Sequence, residues 1–351
     1  MENSNYTSLM ARRVKRILLV CNNYDSFALE EDGRIDVQIA QEYAELNLSN
    51  PPSITRAETT REALALINGA NGANGENGGN GAKGEEFDLI LMMYSAGELD
   101  VFDFAKAAKQ LLPDCPIVLL SAFSKEIFRR IEKHDRSDID LYFNWNNSTD
   151  LIIAINKLIE DRMNAPHDIL EEGVRAILLV EDSVRYYSTY LPLLYKLVLQ
   201  QNSIAIRDAL NEKQQLLRKR SRPKVLMATC YDEAVELYEQ YKQNIIGVIS
   251  DIGFVIHKGD PASEEKLDAG IDLCKMIRKD NPTMPFLMQS SQESMRQTAN
   301  KLKVGFVIKQ SKTLTQEVSE YIEREFGFGD FIARDPRTGR EIDRGSDLED
   351  D

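Results

Sequence analysis

The chain has 351 residues, of which 42% are apolar and 28% charged, enough material for two hydrophobic cores without disulfides or a structural metal. Its 43 Lys and Arg against 57 Asp and Glu give a net charge of −14, a field that repels phosphate and so argues against nucleic-acid and anionic-membrane partners. No apolar run approaches the ~20 residues of a membrane span, and Met1 to Arg16 is polar then basic with no apolar stretch after it, unlike a secretory signal.

In chain order, Arg16-Ile-Leu-Leu-Val-Cys-Asn-Asn23 is a short branched apolar run ending in polar residues, the pattern of a strand buried on both faces. Asn68 to Gly84 has Gly at every third position from Gly69. It lacks Pro, is too short for a collagen-like assembly and reads as a flexible surface loop. Phe87–Met93 and Pro116–Ala122 are further buried strands, with an amphipathic helix over Asp103–Leu112 between them, and Asp140–Asn144 is a fifth. Leu151–Ile159 follows the N-cap cluster Ser148-Thr149-Asp150 and predicts a helix. Asn164-Ala-Pro-His-Asp168 interrupts that pattern and marks the boundary.

The second half repeats the order. Ala176-Ile-Leu-Leu-Val-Glu-Asp-Ser183 matches the first run, Ile245–Asp251 the second, Pro285–Ser291 the third and Gly305–Lys309 the last. A helix is expected over Ala269–Lys279. Val184 to Arg220 reads as one long helix, or one broken near Asn202, with Tyr187, Leu191, Leu194, Val198, Leu210 and Leu217 on its apolar side. Its far end either protrudes to pair with a second chain, making a homodimer, or folds back on its own domain. The basic cluster Arg218–Arg222 suits a solvated helix end. Phe254 to Lys266 is a polar insertion at the rim of Asp251.

Alternating strands and helices imply parallel pairing with right-handed crossovers. The expected architecture is α/β: two doubly wound domains, each with a five-stranded parallel sheet. The expected boundaries are 14–162, a linker at 163–173, 174–326 and a C-terminal extension at 327–351. Cys21, Cys115, Cys230 and Cys274 are far apart with no CxxC pair, which excludes the usual zinc motifs and predicts small core residues in a reducing cytoplasm. His134, His167 and His257 are scattered, against a His-based metal site or a Ser-His-Asp hydrolase.

Ligands of an open α/β sheet bind outside the C-terminal strand ends. In the second half those ends present Glu181, Asp182, Asp251, Ser290 and Lys309. Three carboxylates in one pocket repel, and one is driven to take up a proton unless a hard cation such as Mg2+ joins them. A carboxylate nucleophile, a metal, a hydroxyl and a lysine make a phosphoryl-transfer set. At the equivalent places the first half has Cys21, Asn22, Met93, Ser121 and Asn144, which cannot make an acyl phosphate and offer Mg2+ little.

The ordered set Leu-Leu-Val-Glu181-Asp182, Val-Ile-Ser-Asp251, Leu-Met-Gln-Ser290 and Phe306-Val-Ile-Lys309 resembles the receiver domain of two-component response regulators. The likeness covers most of 175–326 and implies a flavodoxin-like fold. By that resemblance, Asp251 accepts the phosphoryl group, and Asp182, Asp251 and the Gly253 carbonyl bind Mg2+, with Glu181 helping through water. Ser290 and Lys309 contact the phosphoryl group, and Phe306 is the aromatic switch. The pattern departs from the family at Gln310, where a proline is usual. Residues 14–162 would be a degenerate pseudo-receiver.

A phosphoprotein of this kind takes its phosphoryl group from a sensor histidine kinase or a small phosphodonor. It controls an attached or partner protein and is not an enzyme beyond its own phosphorylation and dephosphorylation. Two other readings stay open: a phosphorylation-independent interaction scaffold, and an Asp-nucleophile phosphatase, which Asp251-Ile-Gly253 lacks the second carboxylate to be. The C-terminal Phe326-Gly-Phe-Gly-Asp-Phe331 and the duplication are similar to the N-terminal part of large bacterial proteins related to phosphoenolpyruvate synthase and pyruvate phosphate dikinase. That likeness implies a downstream module of the same kind.

Overall fold

The computed structural model describes residues 9–25, 34–46, 48, 50–69, 86–95, 99–121, 137–145, 148–207, 222–327, 331–334 and 341–345. Most of the Asn-Gly run, the far end of the long helical pattern and Arg218–Ser221 lie outside these residues. The chain divides into two compact units, Arg12–Glu160, and Asp161–Asp351 with Met1–Ala11.

In the first unit the strands are β1 (Arg16–Val20), β2 (Ser53–Ala57), β3 (Leu89–Met93), β4 (Ile117–Ser121) and β5 (Leu141–Asn144). They form one parallel sheet in the order β2-β1-β3-β4-β5. Helices α1 (Ile35–Glu45), α2 (Thr60–Asn68) and α3 (Val101–Leu111) join them among the described residues. All residues of β3 and β4 are buried, the signature of strands covered on both faces. Thr59 caps α2 by accepting from the Glu62 amide at 3.1 Å, and Gly69 closes it in the left-handed conformation at φ 72°, the combination that starts and stops a helix cleanly.

Helix α4 spans Thr149–Leu170. The expected interruption at 164–168, and with it most of the expected linker, is therefore helical, with Pro166 inside. An internal proline removes a helical hydrogen bond at a cost of ~3 kcal/mol. Tertiary anchors beside it offset that loss. Asp161 and Asp168 are fully buried. Arg222 grips Asp161 through two nitrogens at 2.7 and 3.0 Å, and Lys224 Nζ lies 2.6 Å from Asp168. The Met10 amide donates to Asp168 at 3.2 Å. Arg222, expected at a solvated helix end, is thus a buried partner of Asp161.

The second unit has the same strand order. Strands β6 (Ala176–Val180), β7 (Lys224–Ala228), β8 (Ile245–Asp251), β9 (Phe286–Ser290) and β10 (Gly305–Ile308) run parallel as β7-β6-β8-β9-β10. Helices α5 (Val184–Arg207), α6 (Tyr231–Tyr241), α7 (Ala269–Asp280), α8 (Arg296–Leu302) and α9 (Leu314–Phe326) cross between and after them. Tyr187, Leu191, Leu194 and Val198 of α5 are buried, as their spacing predicts. All four cysteines are buried thiols. A short antiparallel pair, β11 (Phe331–Arg334) and β12 (Glu341–Gly345), follows. Both five-stranded sheets have the doubly wound order that places ligands beyond the strand ends. No helix among the described residues is long and apolar enough to cross a membrane.

Candidate functional site

The site follows from register. Val180 of β6 pairs with Ser250 of β8, Asp251 with Gln289 of β9, and Ser290 with Ile308 of β10. These three contacts align the strand ends, so Glu181, Asp182, Asp251 and Lys309 all leave the sheet at one edge. Oxygens of Glu181, Asp182 and Asp251 lie within 4.8 Å of one another. Among the described residues this is the one such cluster of metal-ligating side chains. Lys309 Nζ lies 2.6 Å from Glu181 and also contacts Asp251, bridging the two acids.

Each group is fixed by backbone or neighbours. Glu181 is fully buried, and besides Lys309 it accepts from the Ser183 amide at 3.2 Å and from Gln289 Nε2 at 3.1 Å. Asp251 accepts from the Ile252 amide at 2.7 Å, and Asp182 from the Val255 amide at 3.3 Å. Lys309 stands 4.2 Å from the Tyr186 ring centroid, a geometry in which the ring face attracts the cation.

Burial sets the electrostatics. It raises Glu181, with Lys309 pulling against it and Asp251 and Asp182 adding to the rise. It raises Asp251 as well, opposed by Lys309 and by the Ile252 and Gly253 amides. Burial, then the charges of Asp251 and Glu265, push Asp182 up to about 6. Burial alone would lower Lys309; Glu181 and Asp251 outweigh it and lift its pKa above the ordinary lysine value. The pocket thus contains acids whose charged forms are disfavoured and a cation whose charged form is favoured.

The remaining expected residues fall into two places. Ser290 is buried at the end of β9, where its hydroxyl accepts from the Gln292 amide at 3.1 Å. Phe306 is not in the acidic cluster. It is half-buried in β10 and packs against the core, with the Arg296 guanidinium 4.9 Å above its ring.

Three neighbours were not singled out from the sequence. Gln289 donates to Glu181 while its Oε1 is buried with no hydrogen-bond partner. The Tyr190 hydroxyl is likewise buried without a partner, and burial plus the charges of Glu181 and Asp251 raise its pKa. Glu265 lies over Gly253: a Cβ on Gly253 would sit 2.2 Å from Glu265 Oε1. A polar glutamine in an otherwise apolar buried strand was the one available signal. Tyr190 falls within the long helical pattern without standing out from it, and Glu265 reads as part of a polar loop.

The donor set fits a hard divalent cation. It consists of carboxylate oxygens, with an orphaned amide oxygen beside Glu181 and a residue without a side chain at Gly253, and oxygen donors of this kind are what Mg2+ takes. Among the described residues of the first unit, the equivalent strand ends carry no such set. Cys21, Met93 and Ser121 are buried, and Asn22 donates to the Ser95 carbonyl at 3.2 Å while accepting from the Asp25 amide at 2.8 Å.

No protein-family model and no curated protein matches the chain. Among solved structures, a response regulator receiver domain protein from Clostridium thermocellum aligns at 19% identity, covering 43% of this chain and 94% of its own, with a TM-score of 0.29. The phosphorylated cyanobacterial phytochrome response regulator RcpA aligns at 22% identity over 43% of this chain and 92% of its own, with a TM-score of 0.27. A glucose-galactose binding protein, GanP from Geobacillus stearothermophilus, aligns at 9% identity over 89% of this chain and 90% of its own, with a TM-score of 0.22. These likenesses concern the fold alone.

Proposed function

We propose that the second unit is a phosphorelay receiver: a regulatory module that accepts a phosphoryl group on Asp251 and thereby controls an attached or partner protein. The observation that carries this reading is Lys309 bridging Glu181 and Asp251 within a cluster of three carboxylates. A lysine at that place offsets part of the pocket's negative charge at rest and has a flexible stem with which to follow a new one.

Asp182, Asp251 and the Gly253 carbonyl would bind Mg2+, with Glu181 acting through water. When bound, the ion supplies positive charge that offsets the acids and the incoming phosphoryl oxygens. An Asp251 carboxylate oxygen then attacks the phosphorus of a phosphohistidine or an acyl phosphate. The new O–P bond forms as the donor's P–N or P–O bond breaks, and the leaving group carries the electron pair away. Lys309 turns from the Asp251 oxygen to the phosphoryl oxygens, and the Ser290 hydroxyl exchanges the Gln292 amide for the same group. Gln289 and the Ser183 amide keep Glu181 oriented while Lys309 moves. Phe306, one residue from the strand core, follows Ser290 inward and changes the surface that a partner reads.

The donor is a sensor histidine kinase or a small phosphodonor, and the only turnover is the module's own phosphorylation and dephosphorylation. The first unit, lacking the acids, serves packing or partner binding. A phosphoenolpyruvate synthase-like module is the output that the resemblance of the C-terminal segment suggests. The test is incubation of the full chain with acetyl phosphate and Mg2+, read by intact mass. One phosphoryl group is expected on the wild type and none on Asp251→Asn. Labelling that survives the substitution, or none in either protein, defeats the assignment.

A further inference from the structure

Resting on that reading of the pocket, we propose that Glu265 is a fourth carboxylate of its cation site, delivered by the insertion after β8 and adding its oxygen to the ion's coordination shell. Residues 254–266 leave the strand end and return to it. The Phe254 amide donates to the Lys266 carbonyl at 3.3 Å and the Lys266 amide to the Phe254 carbonyl at 3.1 Å. The Lys266 side chain is tied down by Asp272. The backbone of Glu265, the residue before that anchor, is therefore held at the strand end beside the pocket.

Its carboxylate lies in the space that Gly253 leaves by having no side chain. A Cβ there would meet Glu265 Oε1 at 2.2 Å and Cδ at 3.3 Å. Gly253 follows Asp251 by two residues and carries the carbonyl expected to face the ion. Glu265 makes no hydrogen bond or ion pair among the described residues. Asp182 and Asp251 repel it and Lys309 attracts it, but Lys309 is already shared between Glu181 and Asp251. A divalent cation adds the charge that holds a further carboxylate there. Beside the same cluster, the amide that donates to Glu181 leaves its own oxygen, Gln289 Oε1, buried without a hydrogen-bond partner.

The experiment is calorimetric titration of the full chain with Mg2+ alone. Glu265→Gln should bind about tenfold more weakly than wild type, in the range lost when a supporting group of a metal site is removed. Gly253→Ala, whose new methyl displaces Glu265, should weaken binding similarly, and the double variant should be no weaker than either single one, since both remove the same contact. Asp182→Asn should abolish binding. If Glu265→Gln binds within twofold of wild type while Asp182→Asn does not bind, the role of Glu265 is overturned and the acidic pocket stands. If the wild type itself takes up no Mg2+, the underlying reading falls and this one with it.

Discussion

Asp182 is the acid whose ionisation costs the folded state in the most readable way. Its pKa rises from 3.8 to about 6 through burial and through the charges of Asp251 and Glu265, against the Val255 amide and Lys309. The folded state therefore binds this proton more tightly than the unfolded chain. Between about pH 4 and 6 stability falls as pH rises, and above that window the full penalty applies. Two pKa units correspond to ~3 kcal/mol, reduced toward ~2 kcal/mol by residual solvent screening. Without divalent cation, Asp182→Asn should raise the melting temperature at pH 7 and change it little at pH 4. With Mg2+ at pH 7 the order should narrow or reverse, because only the wild type gains ligand-linked stability. Thermal melts at the two pH values, with and without the ion, check each sign. At this scale the sequence was informative wherever a residue follows a buried strand: Glu181, Asp182, Asp251 and Lys309 converge as their positions imply. Glu265 was illegible, because its place depends on a backbone bridge between Phe254 and Lys266 that no local pattern announces.

Helix α7 shows how an element locks the loop that follows Asp251. Its second residue, Gly270, donates to the Ile252 carbonyl at 2.8 Å, and a Cβ there would lie 2.0 Å from the Asp251 carbonyl oxygen and 3.0 Å from Ile252 Cα. Two effects of Gly270→Ala oppose each other. Alanine favours the helix by ~1 kcal/mol, while forcing a methyl against backbone costs ~1–3 kcal/mol. The obstacle is backbone, with no side chain to rotate away, so the second effect should win. Urea denaturation should show a net loss of up to ~2 kcal/mol, and acetyl phosphate labelling of Asp251 should fall as the loop shifts. A variant more stable than wild type would contradict this packing. The element scale also shows where pattern reading fails. The strands were legible because a short apolar run buried on both faces has few alternatives. The continuation of α4 through Pro166 was not, because the groups that hold it, Lys224 and the Met10 amide, are distant in sequence from Asp168.

At the scale of the whole molecule, one topology appears twice with different chemistry at its edge. Both sheets run in the same order, so the backbone offers two equivalent strand-end sites. Side chains alone separate them: the second unit gathers Glu181, Asp182 and Asp251, and no comparable cluster exists among the described residues of the first. A cation that binds one folded site stabilises the structure around it by an amount set by concentration over dissociation constant, ~2.7 kcal/mol at a hundredfold excess. The gain belongs to the elements that must open for the ion to leave. Hydrogen exchange of the full chain should therefore slow on adding Mg2+ in peptides covering the ends of β6 and β8, the 254–266 loop and the start of α7. Peptides from Arg12–Glu160 should exchange unchanged. Titration should show one ion per chain. Asp182→Asn should remove the whole effect, which separates site binding from general screening of the net negative charge, since screening would slow both units and survive the substitution. Equal protection in both units, or two ions per chain, would mean that the first sheet edge has kept a function its residues do not suggest.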